Sequence, residues 1–116
     1  MIKIHELEEG SVAELLPVSE RINEVQDMLD IMADAGYNGC KGIIIHEKTL
    51  NPEFFDLKTK LAGDILQKFS NYRMKLAIVG DFSDIKSKSL RDFIRESNNL
   101  GIIRFVQDIE TALKGF

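Results

Sequence analysis

The sequence predicts a single α/β domain, residues 1–116, with a mixed sheet of about five strands and helices packed around it. Three observations predict it. The runs Gly42 to Ile45 and Leu76 to Val79 have no polar face, the pattern of strands buried on both sides of a mainly parallel sheet. Segments with apolar residues at helical spacing alternate with those runs, as crossover connections require. The first sixteen residues add a hairpin pattern and hence one antiparallel pair. The element order is ββαβαβαβα.

Each element has its own signal. Ile2, Ile4 and Leu7 precede Glu8-Glu9-Gly10, and Val12, Ala13, Leu15 and Leu16 follow; Gly10 supplies the positive φ of a tight connection, and Pro17 ends the second strand. Asn23 with Gln26 three residues on predicts a helix start, and Val25, Met28, Leu29 and Met32 mark its apolar face. Gly36 predicts its stop. After the strand Gly42 to His46, Asn51-Pro52-Glu53 opens a helix, whole or broken, over Pro52 to Asn71, with Leu57, Leu61, Ile65, Leu66 and Phe69 as its stripe. The strand Lys75 to Gly80 follows. Leu90, Phe93 and Ile94 face inward from a third helix that stops near Asn98-Asn99; Ile102 to Val106 is the last strand, and Ile109, Ala112 and Leu113 belong to a short final helix.

Composition narrows the class. The 116 residues suffice for one core that buries about two thirds of the surface of the unfolded chain, and 44% hydrophobic with 29% charged residues is ordinary for a globular protein. No apolar run approaches the roughly 20 residues of a membrane-spanning helix, and the single Cys40 suits a reducing compartment. A soluble cytoplasmic protein is expected. The net charge is −4, divided as −7 over residues 1–40 and +3 over the rest. A net acidic chain without clustered arginines and aromatics argues against nucleic acid. Two His and one Cys without clustered spacing give no metal site, and Gly80-Asp81-Phe82-Ser83 lacks the glycines of a phosphate cradle. No cofactor is expected. The partner is a protein or small molecule, and pairing of edge strands allows a homodimer.

The carboxyl ends of parallel strands form the rim where ligands bind, which places His46 to Asn51, Asp81 to Lys86, and the turn holding Asp56, Lys58 and Thr59 together. His46, with Glu47 beside it and Asp81 at the end of another strand, is the expected titrating residue; with Ser83 it could form a nucleophile constellation. His5 is expected at the surface and Cys40 packed. Of the adjacent Phe54 and Phe55, one is core and the other is free for a ligand, a partner or a second copy. Asn51 and Asp56 are candidate caps.

The segment FFDLKTKLAGDILQKFSNY, the following KLAIVGDF and the later SKSLRDFI resemble a family of short bacterial proteins catalogued as a domain of unknown function, over nearly the whole chain. Lys60 stands where that resemblance implies a glycine. More loosely, Asp56-Leu57-Lys58-Thr59-Lys60-Leu61 after a buried strand, and Gly101 to Phe105 followed by Ala112-Leu113, are similar to STAS domains of sulfate transporters and anti-sigma factor antagonists. That resemblance implies a non-catalytic regulatory or protein-binding module in which Thr59 matches a hydroxyl phosphorylated by a partner kinase. A phosphate there would meet free N–H groups and the positive end of a helix dipole. The alternative is a small-molecule-binding sensor or hydrolase built on the loops around His46 and Asp81.

Overall fold

The computed structural model describes residues 2–17 and 21–116. Strands β1 (Ile2–Leu7) and β2 (Gly10–Leu15) form the hairpin, with Gly10 at φ 98° in its turn. Then come α1 (Val25–Tyr37), β3 (Cys40–His46), α2 (Leu61–Asn71), β4 (Lys75–Val79), α3 (Lys88–Leu100), β5 (Ile103–Val106) and α4 (Ile109–Lys114). The sheet runs β1-β2-β3-β4-β5, antiparallel between β1 and β2 and parallel elsewhere. Ile43 lies opposite Leu76 and Ile45 opposite Ile78, all fully buried.

Each right-handed crossover steps to the next strand in the same direction, so α1, α2 and α3 share one face of the sheet. The main core lies between them: Ile43, Ile45, Leu76, Ile78, Ile103 and Phe105 from the strands meet Met28, Met32, Ile65 and Phe69 from the helices. Phe54 is 1% exposed and joins this core, 6.4 Å from Phe105; Phe55 is half-buried and packs edge-on against Phe54 at 5.1 Å and beside Phe82 at 6.1 Å. The opposite face carries a smaller core of Val12, Ile44, Ala77 and Ala112, with Ile109, Leu113 and Phe116 packed on it. Gly42 is bare there so that the Phe116 ring can lie where a Cβ would sit, and Arg104 stacks on that ring at 5.0 Å while donating to the carbonyl of Ala112 at 2.8 Å.

Two local differences from the sequence reading, and two features it left open, have physical causes. The cap of α1 is Glu24, one residue after the expected Asn23, and the helix starts at Val25: the Asp27 carboxylate accepts the N–H groups of both Asn23 and Glu24, at 2.9 and 3.1 Å. It also runs past Gly36, because the positive φ of the exit falls on Gly39, at 78°. The stretch Pro52 to Asn71 is broken. Asn51 and Asp56 cap two 3-10 turns, Pro52–Phe55 and Leu57–Thr59, and Lys60 at φ 64° turns the chain before α2. The tight turn for which a glycine was implied is therefore present and is made by a lysine. Finally, Asn98 seals the outer edge of β5: its Oδ1 accepts the Phe105 N–H at 2.7 Å and its Nδ2 donates to the Phe105 carbonyl at 3.4 Å. Among the described residues, β1 is the edge left open.

Candidate functional site

Alternation along a strand sends Val12 and Glu14 of β2 to the face that α4 partly covers. The registers place Lys3 opposite Glu14 on one side and Ile44 opposite it on the other. His5 and His46 are therefore both diagonal neighbours, two residues along, within reach of a long side chain. Both reach it. His5 Nε2 lies 2.8 Å from Glu14 Oε1, and His46 Nε2 lies 2.8 Å from Oε2. Glu14 is only 7% exposed, and the ring-bearing side chains are 16% and 20% exposed.

Burial alone would push the Glu14 carboxyl up, but the hydrogen bonds from His46 and His5 and the charges of those rings outweigh it and hold the group below its ordinary value. A carboxylate kept ionised can only accept. Nε2 of each ring must then be the nitrogen that carries the proton, which leaves Nδ1 as the atom available for another partner.

His46 stands at the carboxyl end of β3 and lines a pocket of about 230 Å³ with Pro17, Glu47, Lys48, Val79 and Gly80. Glu47 folds over Gly80, where a Cβ would come within 2.6 Å of its carboxyl carbon, and Glu47 Oε1 accepts the Asp81 N–H at 3.2 Å. Beyond Gly80 a second pocket of about 320 Å³ is lined by Asp81, Phe82, Ser83, Gln107 and Thr111. The two pockets share Gly80. Of the three segments expected together at the strand ends, those after β3 and β4 line these adjoining hollows, and the turn holding Asp56, Lys58 and Thr59 lines neither.

The other candidates fall into two groups. Asp81 accepts from the Ser83 hydroxyl at 2.6 Å and its N–H at 3.0 Å, bonds that hold its carboxyl below the usual range. Among the described residues no hydrogen bond joins Asp81 or Ser83 to His46. Asn51, Phe54, Phe55, Asp56, Lys58 and Thr59 form the connection from β3 to α2. Asn51 accepts from Glu53 N–H at 2.9 Å and donates to Asn23 at 3.0 Å; Asp56 accepts from Lys58 N–H at 3.1 Å. The Thr59 hydroxyl lies 2.8 Å from the carbonyls of both Glu53 and Asp56 and accepts from Leu61 N–H at 3.3 Å, so it ties the two 3-10 turns to α2. No group of three or more His, Cys, Asp or Glu among the described residues is placed to hold a metal ion.

Glu14 is the residue the sequence reading missed, and with it the role of His5, which is paired and not simply superficial. The signal was present: a lone carboxylate interrupts the apolar run Val12 to Leu16, in step with Val12 on a buried face.

The family model described as domain of unknown function DUF4180 matches residues 7–115. The chain belongs to the DUF4180 family. No curated protein and no solved structure matches it. Within this DUF4180 domain, Glu14 and His46 lie inside the matched span and His5 just before it. No helix among the described residues is long and apolar enough to cross a membrane.

Proposed function

We propose that this DUF4180 domain is a non-catalytic regulatory module that binds a small polar ligand at the carboxyl ends of β3 and β4, with His46 as the contacting residue. The observation that carries the reading is the clamp behind His46. A buried carboxylate fixes the ring and its tautomer, as a second-layer carboxylate does wherever an imidazole must be aimed at something. The other ring nitrogen then serves the pocket that Glu47, Lys48 and Gly80 share with it.

Hydrolysis has less support. A general base must have a nucleophile within reach, yet among the described residues no hydrogen bond joins His46 to a hydroxyl, and the Ser83 hydroxyl donates to Asp81. The regulatory part of the reading rests on the resemblance of the Asp56 to Leu61 sequence to STAS domains. Buried Cys40, its thiol pushed up by burial and by nearby Asp34, suits a reducing cytoplasm.

The test is a titration of the ¹⁵N-labelled protein with a panel of small carboxylic acids, phosphate esters, amines and nucleosides. At least one compound should shift the amides of His46, Lys48 and Gly80 saturably. Both His46→Ala and Gly80→Ala, whose new methyl would drive Glu47 into the pocket, should lose the response. A panel that leaves these amides unmoved, or a response that survives both substitutions, would end the reading.

A further inference from the structure

On the far side of Phe82 from the two hollows at the strand ends lies a third, of about 420 Å³, larger than either. Helix α3 forms one side of it. Arg91, Ile94, Arg95, Asn98 and Asn99 recur at i, i+3, i+4, i+7 and i+8, the spacing of a single helix face. The loop after β4 forms the other side through Phe82 and Ile85.

The charge of this cavity comes from what lines it: two guanidiniums and no carboxylate. Arg91 is held by the loop it faces, its Nη1 donating to the carbonyls of Ile85 at 2.9 Å and Lys86 at 3.0 Å. That contact pins the loop to the helix and so fixes the width of the cavity. The Nε and Nη2 of Arg91 make no hydrogen bond among the described residues. Arg95 is steadied on one side, with Nη2 3.1 Å from Asp92 Oδ1, while the other oxygen of Asp92 accepts from Lys88 Nζ at 2.7 Å. A carboxylate shared between two cations neutralises neither, and Arg91, Arg95 and Asp92, two cations and one anion, leave a local charge of +1.

The rest of the lining is largely apolar. Phe82, Ile85 and Ile94 are half-buried, and Phe82 is fixed edge-on against Phe105 at 5.3 Å. Asn98 is committed to the backbone of Phe105, which leaves the amide of Asn99 as the uncharged polar group. Two cations over an apolar floor are the complement of an anionic head on an apolar body.

We propose that this cavity binds a small organic acid, its carboxylate on the outward edges of Arg91 and Arg95 and its aliphatic or aromatic body on Phe82, Ile85 and Ile94. A guanidinium edge offers a carboxylate two parallel N–H groups, and a monoanion balances the local charge of +1. The volume is in the range of small-molecule sites. This site goes beyond the one at the rim and uses none of the residues around His46, so the two stand or fall in separate measurements.

The test titrates ¹⁵N-labelled protein with phenylacetate and 4-methylpentanoate, with the amide of each, which keeps the body and removes the charge, and with acetate, which keeps the charge and removes the body. At least one acid should shift the amides of Ile85, Arg91, Arg95 and Asn99 saturably. It should bind about tenfold tighter than its own amide, the size of two exposed ion pairs, and tighter than acetate. Arg95→Gln, at an exposed position that ties down no loop, should weaken the acid about threefold, the size of one such pair, and leave its amide unaffected. Two acids that shift none of these residues, acids bound no tighter than their amides or than acetate, shifts confined to His46, Lys48 and Gly80, or indifference to Arg95→Gln would overturn the proposal.

Discussion

Replacing Glu14 by Gln keeps the shape of the side chain and removes its charge. In the native protein the carboxylate takes two imidazole hydrogen bonds, each 2.8 Å, at a position 7% exposed. Bonds to a charged group contribute about 1.5–3 kcal/mol each, and neutral ones about 1. Glutamine retains one acceptor and sets an NH₂ group against the second ring, whose proton must then move to Nδ1. The rings are 16% and 20% exposed, so water offsets part of the loss. The expected cost is about 2 kcal/mol at pH 7, a shift of roughly 1 M in the urea midpoint for a domain of this size.

The pH dependence carries the stronger test. Folded Glu14 titrates below its ordinary value of 4.5, so its stabilisation is fully present above that value and is lost as pH falls through the lower folded one. The gap between native and Glu14→Gln should therefore hold from pH 7 to about pH 5 and narrow as pH falls below 4.5 through the lower folded value. Urea unfolding followed by circular dichroism at each pH measures it. Equal stability at pH 7, or a gap that never narrows as the protein is taken to progressively lower pH below 4.5, would refute the reasoning.

Other expectations come from single contacts. Lys60→Gly should raise stability by about 0.5–1 kcal/mol, since the left-handed conformation costs an L-residue about 1–2 kcal/mol and glycine gives back part of this in the unfolded chain; a lower melting temperature would contradict it. Thr59→Ala should cost about 1 kcal/mol, because the hydroxyl joins Glu53 or Asp56 to Leu61. If Thr59 is also a phosphorylation switch, Thr59→Glu and Thr59→Ala will capture different partners from lysate, and identical capture removes that role. Asn98→Ala should cost about 1–2 kcal/mol and expose the β5 edge; sedimentation velocity should then show concentration-dependent association, and an unchanged monodisperse boundary would count against the edge-sealing role.

Much of the fold was legible because it depends on patterns of burial. The triple isoleucine and the Leu76 run are too short and too rich in β-branched residues for buried helices, which points to central strands, and they are neighbours in register. What the sequence hid was set by tertiary contact: Phe55 is half-covered by Phe82, from a distant loop, and the break before α2 turns on a lysine in a conformation its type disfavours. Around the site, His46 was visible as a histidine leaving a buried strand, but its partner was not. Glu14 pairs with His5 and His46 through strand registers on both sides, and registers cannot be read from one strand at a time. The expected grouping of His46 with Asp81 assumed that neighbouring strand ends point their side chains together, whereas each found a closer partner.

The most direct measurement is the long-range ¹H–¹⁵N spectrum of the imidazole rings at neutral pH. The clamp predicts two Nε2-protonated rings with slowly exchanging protons that both disappear in Glu14→Ala. Rings whose protons exchange as fast as those of a free imidazole, or a His46 signal indifferent to the loss of Glu14, would contradict it.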